Sequence, residues 1–408
     1  MAGGEGEDEA AGVATRRELA NLARAVLIVL GAGVLMGRDS EPVPPGGPDL
    51  SLAALAAAGV GGLADGRARF RAVYCAARGR HGRALPDDRP CEEALRRAAD
   101  EAVPGHGDGA AGPRGGDERR ASQAGGEGAA DGRPADFERA GPPRLRVLVV
   151  SGIYGSCAAW LATPFADGLA HLRRLGYRAG QVPVDARSGS ARNAGLIRDY
   201  LAAHPPEAGE RLVLVGYSKG IADILEAVVA HAAVREAVDA VVSIAGAVGG
   251  SPIADDLAEP LTELLRRLDL PGCDPGDGGG IDSLRRSTRA AWLAANRPLP
   301  GGVRYYSVAA VPGPARVSAV LRPSYRRLAG LDARNDSQVL WADAVIPGGT
   351  LLGYVDADHW AAALPLLRSP PPGLGAVMAT LVDRNAFPRE VLLEAVVRYV
   401  GEELDRAP

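Results

Sequence analysis

The sequence predicts an α/β fold in which short buried strands alternate with amphipathic helices around a mostly parallel sheet. Three observations lead there. From Arg144 onward, apolar runs such as "RVLVVSG" (146–152) and "RLVLVGYS" (211–218) are each followed by a helix-like segment, the rhythm of a parallel sheet covered on both faces. After the second run, Ile221, Ile224, Leu225, Val228 and Val229 fall on one helical stripe. And 408 residues at 47% hydrophobic content can bury a sizeable core.

Each element follows in order. "RVLVVSG" is a strand, "PFADGLAHLRRLG" (164–176) a helix, "YRAGQVPVD" (177–185) a strand and "ARNAGLIRDYLAAH" (191–204) a helix. "RLVLVGYS" and its helix come next, then strands at "AVDAVVSIAG" (237–246), "VRYYSVAAV" (303–311) and "TLLGYVD" (350–356). "REVLLEAVVRYVGEEL" (389–404) closes the chain as a helix. Between two of these strands, about 246–300 exceeds an ordinary connection and reads as a cap, with "LPGCDPGDGGG" (270–280) as its surface tip.

The first 103 residues read as a mostly helical accessory region, with "PCEEALRRAADEA" (90–102) a helix opened by proline and early acidic residues. Residues 104–143 are rich in Gly, Ala and charge, without apolar period, and read as a flexible linker before the domain at 144–408. The apolar stretch 25–37 is shorter than a spanning helix but suits a signal or anchor segment. Thr15-Arg16-Arg17 is a weak match to a twin-arginine signal, although Glu5, Glu7, Asp8 and Glu9 precede it. The reading favours export or membrane association through the N-terminus over a cytoplasmic location.

The formal net charge of −4, with both signs spread along the chain, offers no basic field for nucleic acid. Cys75, Cys91, Cys157 and Cys273 lack zinc-ligand spacing. Cys75 and Cys91 can pair if the protein is exported, or stand as two separate thiols.

The chemistry centres on Gly216-Tyr217-Ser218-Lys219-Gly220. A sharp strand-to-helix turn exposes a serine hydroxyl, and side chains at the two glycine positions would collide with the neighbouring strand and helix. The helix N-terminus then faces the site where oxyanion charge develops. Such a serine needs a base, and the base needs an acid to orient it. In open parallel-sheet folds with this turn the order is serine, acid, histidine, which removes His81, His106, His171 and His204. His231 lies too far along the helix that starts after Ser218, leaving His359 in "GYVDADHWAAALP", just past the last strand. Asp336 in "ARNDSQV" is the best acid, with Asp332 and Asp343 as substitutes; Asp356 and Asp358 read as loop-shaping or solvated charges. For the oxyanion, one backbone N–H should be that of Lys219 and the second that of Ile153 in "VVSGIYGSC", with Tyr154 as its alternative.

Together "SGIYG", "GYSKG", "NDSQV" and "DHW", in this order, resemble the α/β-hydrolase superfamily and its bacterial lipase and esterase branch. The resemblance covers 144 to about 400 and implies an eight-stranded, mostly parallel sheet, a Ser-His-Asp triad and hydrolysis of carboxylic esters through an acyl-enzyme, with no metal or organic cofactor. By position it supports Asn335-Asp336 and Asp358-His359. Two residues depart from the pattern: Ser151 stands where many such lipases have His, and Ser337 where they have Gly after the acid. The expected partner is a small acyl ester or lipid. Thioester cleavage or acyl transfer by the same triad, and a catalytically silent binding protein on the same fold, are the alternatives.

Overall fold

The computed structural model describes residues 48–81, 84–102, 144–153, 155, 157, 161–259, 262–263, 273–274, 276–368, 370 and 373–406. The 25–37 segment, the 104–143 linker and Tyr154 lie outside the described residues.

The elements run α1 (Leu52–Ala57), β1 (Ala64–Asp65), α2 (Arg67–His81), α3 (Cys91–Ala94), β2 (Leu95–Arg96), β3 (Leu145–Val150), α4 (Ala166–Arg174), β4 (Arg178–Gln181), α5 (Ser190–Ala203), β5 (Arg211–Ser218) and α6 (Lys219–Ala230). They continue with α7 (Ala232–Ala237), β6 (Ala240–Gly246), α8 (Pro252–Asp256), α9 (Arg286–Ala295), β7 (Arg304–Ala310), α10 (Arg322–Ala329), β8 (Thr350–Val355), α11 (Gly375–Leu381) and α12 (Arg389–Asp405). The sheet order is β1-β8-β7-β6-β5-β3-β4, parallel throughout, with β2 antiparallel on β8.

Strand alternation sorts side chains into two cores. Val147, Val149, Val213 and Val215 face a layer that includes Phe70 and Tyr74 of α2, Leu169 and Leu172 of α4, and Val391 and Leu392 of α12. Leu148, Val150, Leu212 and Leu214 face Ile197 and Leu201 of α5, Ile221, Ile224 and Val228 of α6, and Leu293 of α9. Both faces of the middle strands are thereby dry, so their sequences read as unbroken apolar runs. Val229, predicted on the buried stripe of α6, is only partly buried, whereas Ala222, Asp223 and Ala227 are fully buried, because the helix is wedged between the sheet and its neighbours.

The N-terminal region departs from the sequence reading. Residues 48–102 are built into the same sheet: β1 pairs Ala64 with Thr350, and β2 pairs Leu95 with Val355. The outer edge of β8 would otherwise present unpaired N–H and C=O groups, and these two short strands cover it. The helix predicted over 90–102 accordingly stops at Ala94, where the backbone turns extended to join β8. Buried Arg71 pairs with Glu101 and donates to the carbonyls of Leu95 and Arg96, holding the segment against α2. Cys75 and Cys91 form a disulfide between α2 and α3. No helix among the described residues is long and apolar enough to cross a membrane.

The described part of the 246–300 segment runs through α8 and α9 and leans on other loops at the carboxyl ends of the strands. The N–H of Gly280 donates to the Arg187 carbonyl at 2.9 Å, and a second disulfide joins Cys273 to Cys157 in the loop after β3. Nothing in the spacing of these two cysteines predicts their pairing.

Candidate active site

At the end of β5 the register with β6 shifts between Tyr217 and Ser218, and Ser218 takes φ 53° and ψ −126° as the N-cap of α6. A non-glycine residue in that conformation costs on the order of 1–3 kcal/mol and is held only by its surroundings. Those surroundings leave no room for side chains on either flank. A Cβ on Gly216 would sit 2.5 Å from Cα of Ile221, and one on Gly220 would collide with the carbonyl of Val150. The turn after β3 comes equally close: a Cβ on Gly152 would lie 2.7 Å from Cβ of Ser218. Ile153 follows this glycine and is partly buried, and Lys219 opens α6.

His359 lies in the loop after β8, with Nε2 3.0 Å from Oγ of Ser218 and Nδ1 2.7 Å from Oδ2 of Asp336. Asp336 is 1% exposed, and its other oxygen accepts the N–H groups of Gln338 at 2.9 Å and Val339 at 2.7 Å. Its own carbonyl accepts the N–H of His359 at 2.9 Å, so the two residues are joined twice. Ser337, where glycine was expected, adopts φ 87°, the left-handed conformation glycine would take, with its N–H donating to Oδ1 of Asn335.

The other candidates sit elsewhere. His231 caps the far end of α6, about 18 Å from its start at 1.5 Å per residue. Asp332 is bound to Arg334 and to the indole of Trp341. Asp343 lies against Arg286, and burial pushes its carboxyl up to about 6. Asp356 accepts from the N–H of Gly313. Asp358 is the loop-shaping residue of the pair: it is fully buried, accepts the N–H groups of Ser318 and Ala361, and burial raises its pKa.

Three features escaped the sequence reading. The Tyr217 hydroxyl donates to the His359 carbonyl at 2.9 Å, with its ring 5.1 Å from the imidazole. The Lys219 side chain is buried and ion-paired to Asp223, four residues on along α6. The third feature is the Cys157–Cys273 link; an i,i+4 Lys–Asp spacing was the only one of these signals open to sequence inspection.

One further cluster has metal-ligand composition. The Nε2 atoms of His81 and His171 lie 2.5 and 2.7 Å from Oε2 of Glu394, while Arg398 and Arg80 donate to Oε1 at 2.7 and 3.1 Å. These are direct hydrogen-bond distances, and two guanidiniums on the carboxylate oppose a further cation. The cluster ties α2, α4 and α12 together. Cys75, Cys91 and Glu92 also converge, but both sulfurs are taken up in the disulfide.

No family model matches the chain, and no curated protein matches it. Among solved structures, it is similar to the metagenomic carboxyl esterase MGS0156, at 36% identity and a TM-score of 0.72, over 94% of this chain and 99% of that one. It is also similar to the mature form of the Bacillus licheniformis lipase BlEst2, at 22% identity and a TM-score of 0.44, over 55% of this chain and 88% of that one. The first likeness spans nearly both chains, including the N-terminal segment that completes the sheet edge. With the parallel sheet and the strand-turn-helix at Ser218, it shows that the chain belongs to the α/β-hydrolase superfamily, among its esterase- and lipase-like members.

Proposed function

We propose that the protein hydrolyses carboxylic esters through Ser218, His359 and Asp336. The observation that carries this reading is the chain of contacts Ser218–His359–Asp336 at 3.0 and 2.7 Å, anchored on the left-handed backbone of Ser218. His359 Nε2 takes the proton of Ser218 as Oγ attacks the ester carbonyl, and Asp336 keeps the remaining ring proton on Nδ1. The Lys219 and Ile153 N–H groups receive the oxyanion of the tetrahedral intermediate. The imidazolium returns its proton to the leaving alcohol; the acyl-enzyme is then attacked by water with His359 again as base.

The esterase similarity favours an oxygen ester as substrate. Two disulfides suit an oxidising compartment, in keeping with export. The test compares p-nitrophenyl esters of graded chain length with the matching acyl thioesters, and repeats the ester assay with an alcohol acceptor, in wild type and Ser218→Ala. Ester turnover that Ser218→Ala reduces by at least about 10³-fold supports the reading. Faster thioester turnover or preferred transfer to alcohol would replace it with the corresponding acyl chemistry. A well-folded protein inert to all three would point to a binding role.

A further inference from the structure

Lysine is seldom fully buried, and a buried ion pair is often no more stable than apolar residues of the same volume. Yet Lys219, immediately after Ser218, is 1% exposed, with Nζ 2.5 Å from Oδ1 of Asp223, itself 1% exposed. The second oxygen of Asp223 accepts from Nδ2 of buried Asn193 at 2.7 Å. One carboxylate thus grips both the first turn of α6 and the first turns of α5.

The contacts continue toward the cap. Asn193 exchanges two hydrogen bonds with the backbone of Asp185, at 3.1 and 3.2 Å. Ser188 Oγ donates to Asp185 at 3.3 Å and accepts the N–H of Asp277 at 3.1 Å; Asp277 Oδ1 accepts the N–H of Gly189 at 2.8 Å.

We propose that Asp223 is a positioning residue for ester cleavage: by holding Lys219 and Asn193 together it sets the Lys219 N–H against the reacting carbonyl and ties that setting to the cap. This rests on the esterase reading given above. An apolar pair would pack α6 against α5 without fixing the direction of its first N–H groups, whereas an ion pair with a shared amide is directional. A displacement of about 1 Å at such a donor is enough to cost on the order of 10²-fold in rate.

Asp223→Asn alone would leave a buried ammonium without its counter-charge and could unfold the protein, so the test uses Asn193→Ala and the uncharged pair Lys219→Met/Asp223→Asn. Turnover of p-nitrophenyl butyrate is measured beside inhibition by an alkyl boronic acid, whose tetrahedral serine adduct needs the oxyanion donor; thermal melts report the folded fraction. The expected result is a kcat about 10- to 100-fold lower, a boronate Ki raised by a similar factor and a KM within about twofold, in folded protein. Wild-type kcat and Ki in folded variants, or losses that vanish on correction for the folded fraction, would overturn the proposal while leaving the esterase reading intact. A wild-type protein that neither turns over the ester nor binds the boronate would sink the esterase reading, and the inference with it.

Discussion

The hydroxyl of Tyr217 donates a hydrogen bond to the backbone carbonyl of His359 across 2.9 Å, joining the end of β5 to the loop after β8. The tyrosine is buried, and burial holds its pKa well above the ordinary value, so its hydroxyl remains a donor near neutral pH. Its ring also lies tilted against the imidazole. Tyr217→Phe keeps the ring and removes the donor. A net loss of about 1 kcal/mol at this contact corresponds to a roughly three- to tenfold lower kcat with KM unchanged, checked by steady-state kinetics on a chromogenic ester.

Asp336→Asn tests the tautomer argument. The amide oxygen can still accept the N–H groups of Gln338 and Val339, which turns the NH₂ toward Nδ1 of His359. The imidazole must then carry its proton on Nε2 and cannot take one from Ser218. The expected outcome is a kcat lower by about 10⁴-fold with the melting temperature close to wild type.

Ser337→Gly should stabilise the fold. Ser337 holds φ 87°, and its buried hydroxyl has no hydrogen-bond partner. Relief of the left-handed backbone and of the unsatisfied hydroxyl outweighs the extra chain entropy of glycine, for a gain of about 1 kcal/mol. Urea denaturation measures it, and a loss of similar size would contradict the account.

Asp343 gives a pH signature. Its Oδ2 lies 3.1 Å from Nε of Arg286, whose pull is outweighed by burial, which raises the folded-state pKa from 3.8 to about 6. The folded chain therefore binds this proton more tightly than the unfolded chain. Ionisation lowers stability above the folded pKa of about 6, and the loss disappears as pH falls toward 3.8. Asp343→Asn should gain on the order of 1–2 kcal/mol at pH 8, after allowance for the lost attraction to half-exposed Arg286, and nothing near pH 4. Stability curves for the two proteins across this range are the check.

Much of the fold was legible because the parallel strands are buried on both faces and their apolar runs stand out from the helices between them. The turn at Ser218 was legible for a related reason, since its glycines are demanded by Ile221 and Val150, which approach too closely for a side chain. The sheet edge was not: β1 and β2 are two residues each, too short to show a period, and the need for them arises from the exposed edge of β8. Asp336 is the best acid in one dimension, but Asp332 and Asp343 stay open as substitutes there; the loop that returns Asp336 to His359 is a matter of tertiary placement. The burial of the Lys219 side chain depends on Asp223 and on Asn193, which comes from a different helix and so leaves no mark in the local sequence. Cys157 and Cys273 are 116 residues apart, a separation over which spacing says nothing about pairing.

The most direct measurement is labelling of the purified protein with a fluorophosphonate probe, beside Ser218→Ala and His359→Ala, with mass-spectrometric mapping of the labelled peptide. The account predicts modification at Ser218 in the wild type and its loss in both variants. Labelling at another residue, or undiminished labelling at Ser218 without His359, would contradict it.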